Sequence, residues 1–475
     1  MSLVRLYSSY LSESLCNCNY MCIRMHTSFN CRCVYIVSMR FCNQLATRSL
    51  LVFLYITGIS FSLHAQSDST YQMLIAKASL FHLQKNTKGA ISLYDTAFQI
   101  QQPDALTAYK AAGMYSLDSN ANKAFLYLDL ALSSGWTEAD WLSFDPYFDY
   151  LKITQPESWK KVEQQAFINE KRFAQTLQLP SLRKEINLMT LNDQKLRYAR
   201  VQNSNDNLAQ AIDQQINKSD YDNFNRAREI IKQYGWPKIS QIGRDGQNNL
   251  WLIVQHADQD VLLQKSALFA MQKLSGKKEY NMENYAFLYD RVQCNLNYKQ
   301  VYGTQVLWTS NGEASAFRPI ISEDMVDERR RKLGLQPLKI YALTYGFTYQ
   351  MVTGAESKQN DLKYNLHVRN LIDSAKYFYK AKEFTRTYDY YNTASTFIGG
   401  MNNADNFEAA ILFSKIAALD TNGKYKSIAL DFLDLLNLRA ALTKSKLISQ
   451  PEFKVLYKEP RWIALNSSFL YKKRP

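Results

Sequence analysis

The chain has 475 residues, 46% of them hydrophobic and 13% aromatic, with a formal net charge of +14. That length holds two or three domains, and only 16 Gly and 10 Pro argue against a sandwich, a propeller or a Rossmann-type enzyme full of tight turns. The positive charge is spread; its one dense run, Arg329 to Lys332, follows Glu323, Asp324, Asp327 and Glu328, the pattern of a solvated helix with i,i+4 pairs, so no nucleic-acid partner is expected.

In chain order, residues 1–65 stand apart from the fold as a leader. Arg40 and Arg48 precede the apolar run Leu50 to Phe61, and Ser62-Leu63-His64-Ala65 offers a cleavage site before Gln66. This reads as a signal peptide over 39–65, with residues 1–38 a start-site error, because such a leader needs its basic end near the N-terminus. Cys16, Cys18, Cys22, Cys31 and Cys33 would supply thiolates to a metal, a reading set aside on the same ground. The apolar run is short for a membrane span, and no Cys follows it for a lipid anchor. The expectation is a secreted or periplasmic protein with no transmembrane anchor after leader removal. The leader carries five Arg and one Glu, which leaves about +10 on the remainder. Cys294 is then the single cysteine, expected as a small buried residue.

Residues 66–165 carry a repeat. Ala78 and Ala112, Phe81 and Tyr115, Ala90 and Ala124, Tyr94 and Leu128, and Ala97 and Ala131 are all separated by 34 residues. The spacing from the first small residue is +3 aromatic, +12 small, +16 large, +19 small. Ala375, Phe378, Thr387, Tyr391 and Ala394 reproduce it in the segment 366–475. A second echo follows: Pro146, Phe148 and Leu151 recur as Pro451, Phe453 and Leu456, and Trp159 is answered by Trp462. These spacings resemble the tetratricopeptide repeat, although the usual Trp and Gly of its first unit are missing. The resemblance implies two modules of paired helices whose concave faces receive a protein or peptide partner.

Between the modules lies a central domain, 166–350. Pro180 is expected to stop a charged helix and Ser181 to cap the next. The polar stretch Asn203 to Tyr221 reads as helical with a frayed link, before a helix from Phe224 to Tyr234. Leu252, Gln255, His256 and Gln259 share a helical face, with Asp258 and Asp260 close behind, where two helical segments meet. Imidazole beside a carboxylate suits proton transfer, because the carboxylate fixes the tautomer and raises the pKa toward neutrality. A single His in such a frame is more ordinarily a satisfied core residue. After the leader only His82, His256 and His367 remain, too few for a zinc site; no metal and no cofactor is expected.

Asn281 is expected to cap a helix to Asn295 in which Asp290 and Arg291 interrupt an apolar pattern. Adjacent residues on a helix do not face each other, so each needs its own partner, Arg329, Arg330 or Asp258 among them. Asn311-Gly312 marks a hairpin whose first strand, from Val301, carries Tyr302, Thr304 and Gln305. A last helix, Met325 to Leu333, ends at Gly334. Together, the helix opening at Leu182, Gly235-Trp236-Pro237, the run from Trp251 to Asp258, Asp290-Arg291, Tyr302-Gly303-Thr304-Gln305, Arg329-Arg330 and Gly334-Leu335 resemble an uncharacterised bacterial domain family of unknown function. The resemblance implies a domain and candidate positions, not an activity.

The expected fold is mainly α, with tetratricopeptide-like helix-pair modules flanking an α-rich central domain that contains one small β-hairpin. The expected function is protein binding or scaffolding. The alternative is a hydrolase-like enzyme with His256 as general base, Asp258 orienting it, and Asp290, Arg291, Tyr302, Thr304, Gln305, Arg329 and Arg330 lining the ligand site. No Gly-x-Ser-x-Gly elbow or phosphate-binding Gly loop supports the alternative.

Overall fold

The computed structural model describes residues 69–203, 206–420 and 423–471; the leader lies outside them. The described chain is mainly α, and its one sheet among those residues is an antiparallel hairpin. Two compact units divide it. The first runs to Thr176 and includes Ser310–Glu313 and Lys339–Thr348; the second comprises Leu177–Thr309, Ala314–Leu338 and the chain from Tyr349 onward.

The first unit opens with helical residues 69–83, here α1. It continues with α2 (Thr87–Ile100), α3 (Ala105–Leu117), α4 (Ala121–Ser133), α5 (Ala139–Phe144), α6 (Asp149–Thr154) and α7 (Pro156–Ala174). The side chains of Asn86, Asp104 and Asn120 accept the Gly89, Thr107 and Lys123 amides at the starts of α2, α3 and α4, each such cap worth about 1 kcal/mol. Ala78, Ala90, Ala97, Ala112, Ala124 and Ala131 are all fully buried. They are the small residues that let successive helices cross closely, so the architecture is repeat-like at the predicted spacing. Residues Ala108 to Ser116 of α3 are buried without a break. Part of that burial comes from the chain's own next segment. Tyr109 stacks on Trp136 at 4.0 Å and donates to Asp145 at 2.8 Å. A Cβ added at Gly113 would sit 3.2 Å from the Tyr147 ring, and Phe148 packs its ring against Trp159 at 5.5 Å.

The second unit contains α8 (Pro180–Gln202), α9 (Asp206–Tyr234), α10 (Ile239–His256), α11 (Val261–Gln272), α12 (Met282–Asn295), β1 (Val306–Trp308), β2 (Ala314–Phe317), α13 (Val326–Lys332) and α14 (Leu338–Leu343, shared with the first unit). The chain ends with α15 (Gly354–Lys380), α16 (Phe384–Thr396), α17 (Asn403–Leu419), α18 (Lys424–Leu438), α19 (Lys444–Ile448) and α20 (Pro460–Tyr471). Two local expectations, at Pro180 and at Tyr302 to Gln305, need correction. Pro180 occupies the first turn of α8 rather than ending a helix, where its missing N–H costs nothing, and Leu179 rather than Ser181 precedes it as the cap. The stretch read as helical with a frayed link is helical from Asp206 onward, as part of α9. Tyr302 to Gln305 lie before β1, not on it, because the Tyr302 and Thr304 amides turn toward Asp290 and the Gln305 amide toward the Gln300 side chain instead of a neighbouring strand.

In the C-terminal helices Ala375, Thr387, Tyr391 and Ala394 are buried at the predicted spacing. The segment Pro451–Leu456 repeats what Pro146–Phe148 does in the first unit: it is a short 3-10 turn, its Phe453 and Leu456 are fully buried, and Trp462 closes on Phe453 at 5.7 Å. These helices dock on the central helices through Arg439. Its guanidinium donates to the Leu296 and Asn297 carbonyls at 2.7 and 2.9 Å and lies 4.3 Å over the Tyr298 ring.

Candidate functional site

The predicted residues gather in two places. The first is a knot around Asp290, which is fully buried on α12. Its carboxylate accepts the amides of Val301 at 2.7 Å, Tyr302 at 3.1 Å and Thr304 at 3.0 Å, and the Thr304 hydroxyl at 3.1 Å. No strand ladder satisfies those amides, so the loop depends on this one side chain. Gly303 makes the loop possible: its φ is +70°, and a Cβ there would meet Leu338 Cδ1 at 2.8 Å. From the other side Arg329 donates to the Val301 carbonyl at 2.8 Å and to the Ile321 carbonyl at 2.7 Å. Arg330, 1% exposed, donates to the Tyr302 and Gln336 carbonyls at 2.6 Å each. Gln305 donates to the Thr304 hydroxyl at 3.1 Å, and the Tyr302 ring meets Tyr289 edge-on at 5.9 Å.

Electrostatics follow from that enclosure. Burial raises the Asp290 pKa, and the backbone amides offset this only in part. Burial pushes the Tyr302 phenol up to about 12 and the neighbouring Cys294 thiol up to about 12, so neither is a nucleophile near neutrality. Gln300, fully buried, was not anticipated; it accepts the Gln305 amide at 2.8 Å and donates to the Gln305 and Arg318 carbonyls. Only its place one residue before the Val301 loop hinted at such a role.

The second place is the junction of α10 and α11. His256 is the last residue of α10, and Asp260 caps α11 by accepting the Leu263 amide at 3.0 Å. Asp258 does not serve His256 in the way expected. Its two oxygens take the Arg291 guanidinium side-on, at 2.7 Å each, and Asn295 adds a bond at 2.9 Å. Burial works to raise the Asp258 pKa, but Arg291 outweighs it and leaves the carboxyl below its usual range. The His256 pKa is lowered well below its ordinary value by burial, with Arg197 and Arg291 adding to the effect. The expected rise toward neutrality therefore does not occur, because burial disfavours the charged imidazole and the nearby Arg197 and Arg291 add to that.

Arg197 belongs to a polar layer absent from the sequence reading. On α8 it donates to Asp193 at 3.0 Å and reaches across to Asp220 on α9 at 2.5 Å. Burial pushes Asp220 up to about 6, against the pull of Arg197. The i,i+4 spacing of Asp193 and Arg197 was the available signal. Arg183 and Asp245 form a further buried ion pair that ties α8 to α10.

The Asp290 knot, the Asp258–Arg291 pair and both helices of the α8–α9 pair fall within one stretch. Residues 180–352 match a family of unknown function, DUF6624. The match covers less than half of the chain and shows what this stretch is similar to. No curated protein and no solved structure is significantly similar to the chain. Within the matched stretch, the predicted site residues chiefly hold backbone or one another: Asp290 holds amides, Arg329 and Arg330 hold carbonyls, and Asp258 holds Arg291. Among the described residues no cluster of His, Cys, Asp and Glu has the form of a metal site.

Proposed function

We propose that the protein is an exported binding or scaffold protein, with tetratricopeptide-like modules contacting a protein partner around a structural DUF6624 domain. The observation that carries the reading is the commitment of the candidate catalytic groups to the fold. A general base needs a pKa near the working pH and an orienting partner; His256 is pushed away from that range, and its expected partner is bound to Arg291. The hydrolase reading ranks second for that reason. Along α15, Leu362 is 70% exposed, Leu366 62% and Tyr377 67%. Their spacing puts all three within one side of the helix, and clustered exposed apolar groups mark contact surfaces.

The test is affinity purification of the full chain from its native cells beside a Leu362→Asp/Leu366→Asp variant. A stoichiometric protein recovered with the parent and lost from the equally folded variant supports the reading. A partner retained by the variant, or a small-molecule turnover abolished by His256→Ala at unchanged stability, overturns it. Fractionation of the cells tests the export part: protein confined to the cytoplasm with residues 39–65 intact would refute it.

A further inference from the structure

Asn311-Gly312, the pair that marks the hairpin in the sequence, carries a reaction of its own. Asparagine is a thermally labile residue. The amide nitrogen of the next residue attacks its side-chain carboxamide carbon, a five-membered imide ring closes, and ammonia leaves. Two things ordinarily slow this closure. A side chain on the next residue crowds the nitrogen, and a backbone fixed in a helix or a ladder holds the nitrogen away from the carbon.

Neither obstacle stands at Asn311. The ladder closes at Trp308 and Ala314, so both residues lie in the turn beyond it. Asn311 is exposed, and its carboxamide makes no hydrogen bond to any described residue. Gly312 has φ +80°, and a Cβ built there would meet no atom within 4 Å, so the linking peptide has open space to turn in. Other asparagines are differently placed. Asn281 accepts the Glu283 and Asn284 amides as a helix cap, Asn297 donates to the Ser395 carbonyl at 3.1 Å, and each is followed by a residue with a side chain, Met282 or Tyr298. The sequence holds one other Asn-Gly pair, Asn422-Gly423. Asn422 lies outside the described residues, and Gly423 stands at the start of α18, its carbonyl accepting the Ser427 amide at 3.2 Å.

We infer that Asn311 is a site of spontaneous covalent modification, where the carboxamide is converted through a succinimide to aspartate and isoaspartate. In the first step the Gly312 nitrogen bonds to Asn311 Cγ, the Cγ–Nδ2 bond breaks, and Nδ2 leaves as ammonia with the proton that the Gly312 nitrogen gave up. Water then opens the imide. Cleavage at Cγ gives aspartate. Cleavage at the backbone carbonyl carbon gives isoaspartate, in which the main chain runs through Cβ and Cγ and is one carbon longer. Either product adds a negative charge close to Glu313. The longer chain acts first on the nearest pair. β1 and β2 have three and four residues, with a register shift already present between Leu307 and Trp308. The base of the hairpin is held separately: the Arg318 amide donates to the Gln305 carbonyl at 2.9 Å, and the Gln305 amide to the Gln300 side chain at 2.8 Å. Isoaspartate therefore loosens the tip and leaves the base in place.

The experiment incubates the folded full chain at mildly alkaline pH and follows the peptide containing residue 311 by mass spectrometry. Hydroxylamine, which cleaves the imide, is the trap. The parent is expected to gain one mass unit at residue 311, faster as hydroxide rises, and to be cut by hydroxylamine between residues 311 and 312. Gly312→Ala is expected to slow the gain about tenfold or more, an added barrier of about 1.4 kcal/mol. Asn311→Gln, whose ring would need six members, is expected to abolish both the gain and the cut there. In the aged parent, hydrogen-exchange protection is expected to fall at the Trp308–Ala314 pair and to hold at the Gln305 and Arg318 amides. Conversion of Asn311 in urea alone overturns the proposal, because the fold would then block ring closure. So does a Gly312→Ala rate equal to that of the parent. Full protection of the Trp308–Ala314 pair in the isoaspartate form would overturn the effect drawn for the hairpin.

Discussion

Truncating Asp290 to Ala is the most direct test of how the central stretch is held. The change leaves the Val301, Tyr302 and Thr304 amides and the Thr304 hydroxyl without their acceptor. A buried donor left unsatisfied costs about 1–3 kcal/mol, so three amides set an upper range of roughly 3–9 kcal/mol. Two effects reduce it: water enters the space that opens, and the fold no longer bears the desolvation of a carboxyl whose pKa burial already raises. The expected loss is about 2–4 kcal/mol. Asp290→Asn keeps one oxygen for two of the amides but turns an NH2 group toward other donors, and is expected to cost about half as much. Because the folded pKa is raised, the native state holds the proton more tightly than the unfolded chain. The stability from this group is full below the ordinary carboxyl range and falls as pH rises through the folded value. The advantage of the parent over the Asp290→Asn variant should therefore be largest in acid. The assay is urea unfolding of the full chain, with hydrogen exchange read at residues 301, 302 and 304. Stability within about 0.5 kcal/mol of the parent in the Ala variant, a surface-like value, with those three amides still protected, would refute the reasoning.

Three further outcomes are expected. His82 is 4% exposed, neither of its ring nitrogens makes a hydrogen bond, and burial with Lys110 nearby lowers its pKa to about 3. The unfolded state then takes up the proton first, so stability is lost as pH falls from about 6.5 toward 3, reaching on the order of 4–5 kcal/mol. His82→Phe should flatten that acid limb in urea titrations of α1 to α4 followed by hydrogen exchange; an unchanged pH profile would sink the assignment. Arg439→Met removes the donor to the Leu296 and Asn297 carbonyls and should cost about 2–4 kcal/mol. The same change should raise proteolytic cleavage between residues 297 and 403, and an unchanged digestion pattern would count against docking through this side chain. Gly303→Ala, at φ +70° and against Leu338, should cost about 2–3 kcal/mol by backbone strain alone, which thermal unfolding will register; a neutral result would mean that the loop adopts another path.

What the sequence made legible was periodic. Every Ala of the 34-residue register is buried, because a helix crossing admits only small side chains and the requirement recurs at each crossing. The Pro146 and Pro451 echoes were visible for a similar reason: a Pro-started turn that inserts Phe between helices needs the same residue types in the same order. The Asn281 cap was equally local, a side chain bonding amides two and three residues on. The failures were long-range. Whether Asp258 turns to His256 or to Arg291 depends on where α12 passes, which local pattern does not encode. The same holds for Asp290: a carboxylate within an apolar helical frame signals a need for partners, yet nothing nearby shows that these are amides eleven to fourteen residues on. Pro180 was misread because proline ends one helix and begins another equally well.

The Pro146–Phe148 and Pro451–Leu456 turns have a consequence for how such a chain can lengthen. A stacked array grows by adding helix pairs only while its last pair presents an open apolar face. Here each array is closed after two pairs by a Phe and a Trp that occupy the place of the next unit. Duplication of a helix pair is therefore tolerated upstream of each plug, before Ala105 or before Asn403, whereas insertion after Ser133 or Leu438 would separate the plug from its seat and leave the last pair exposed.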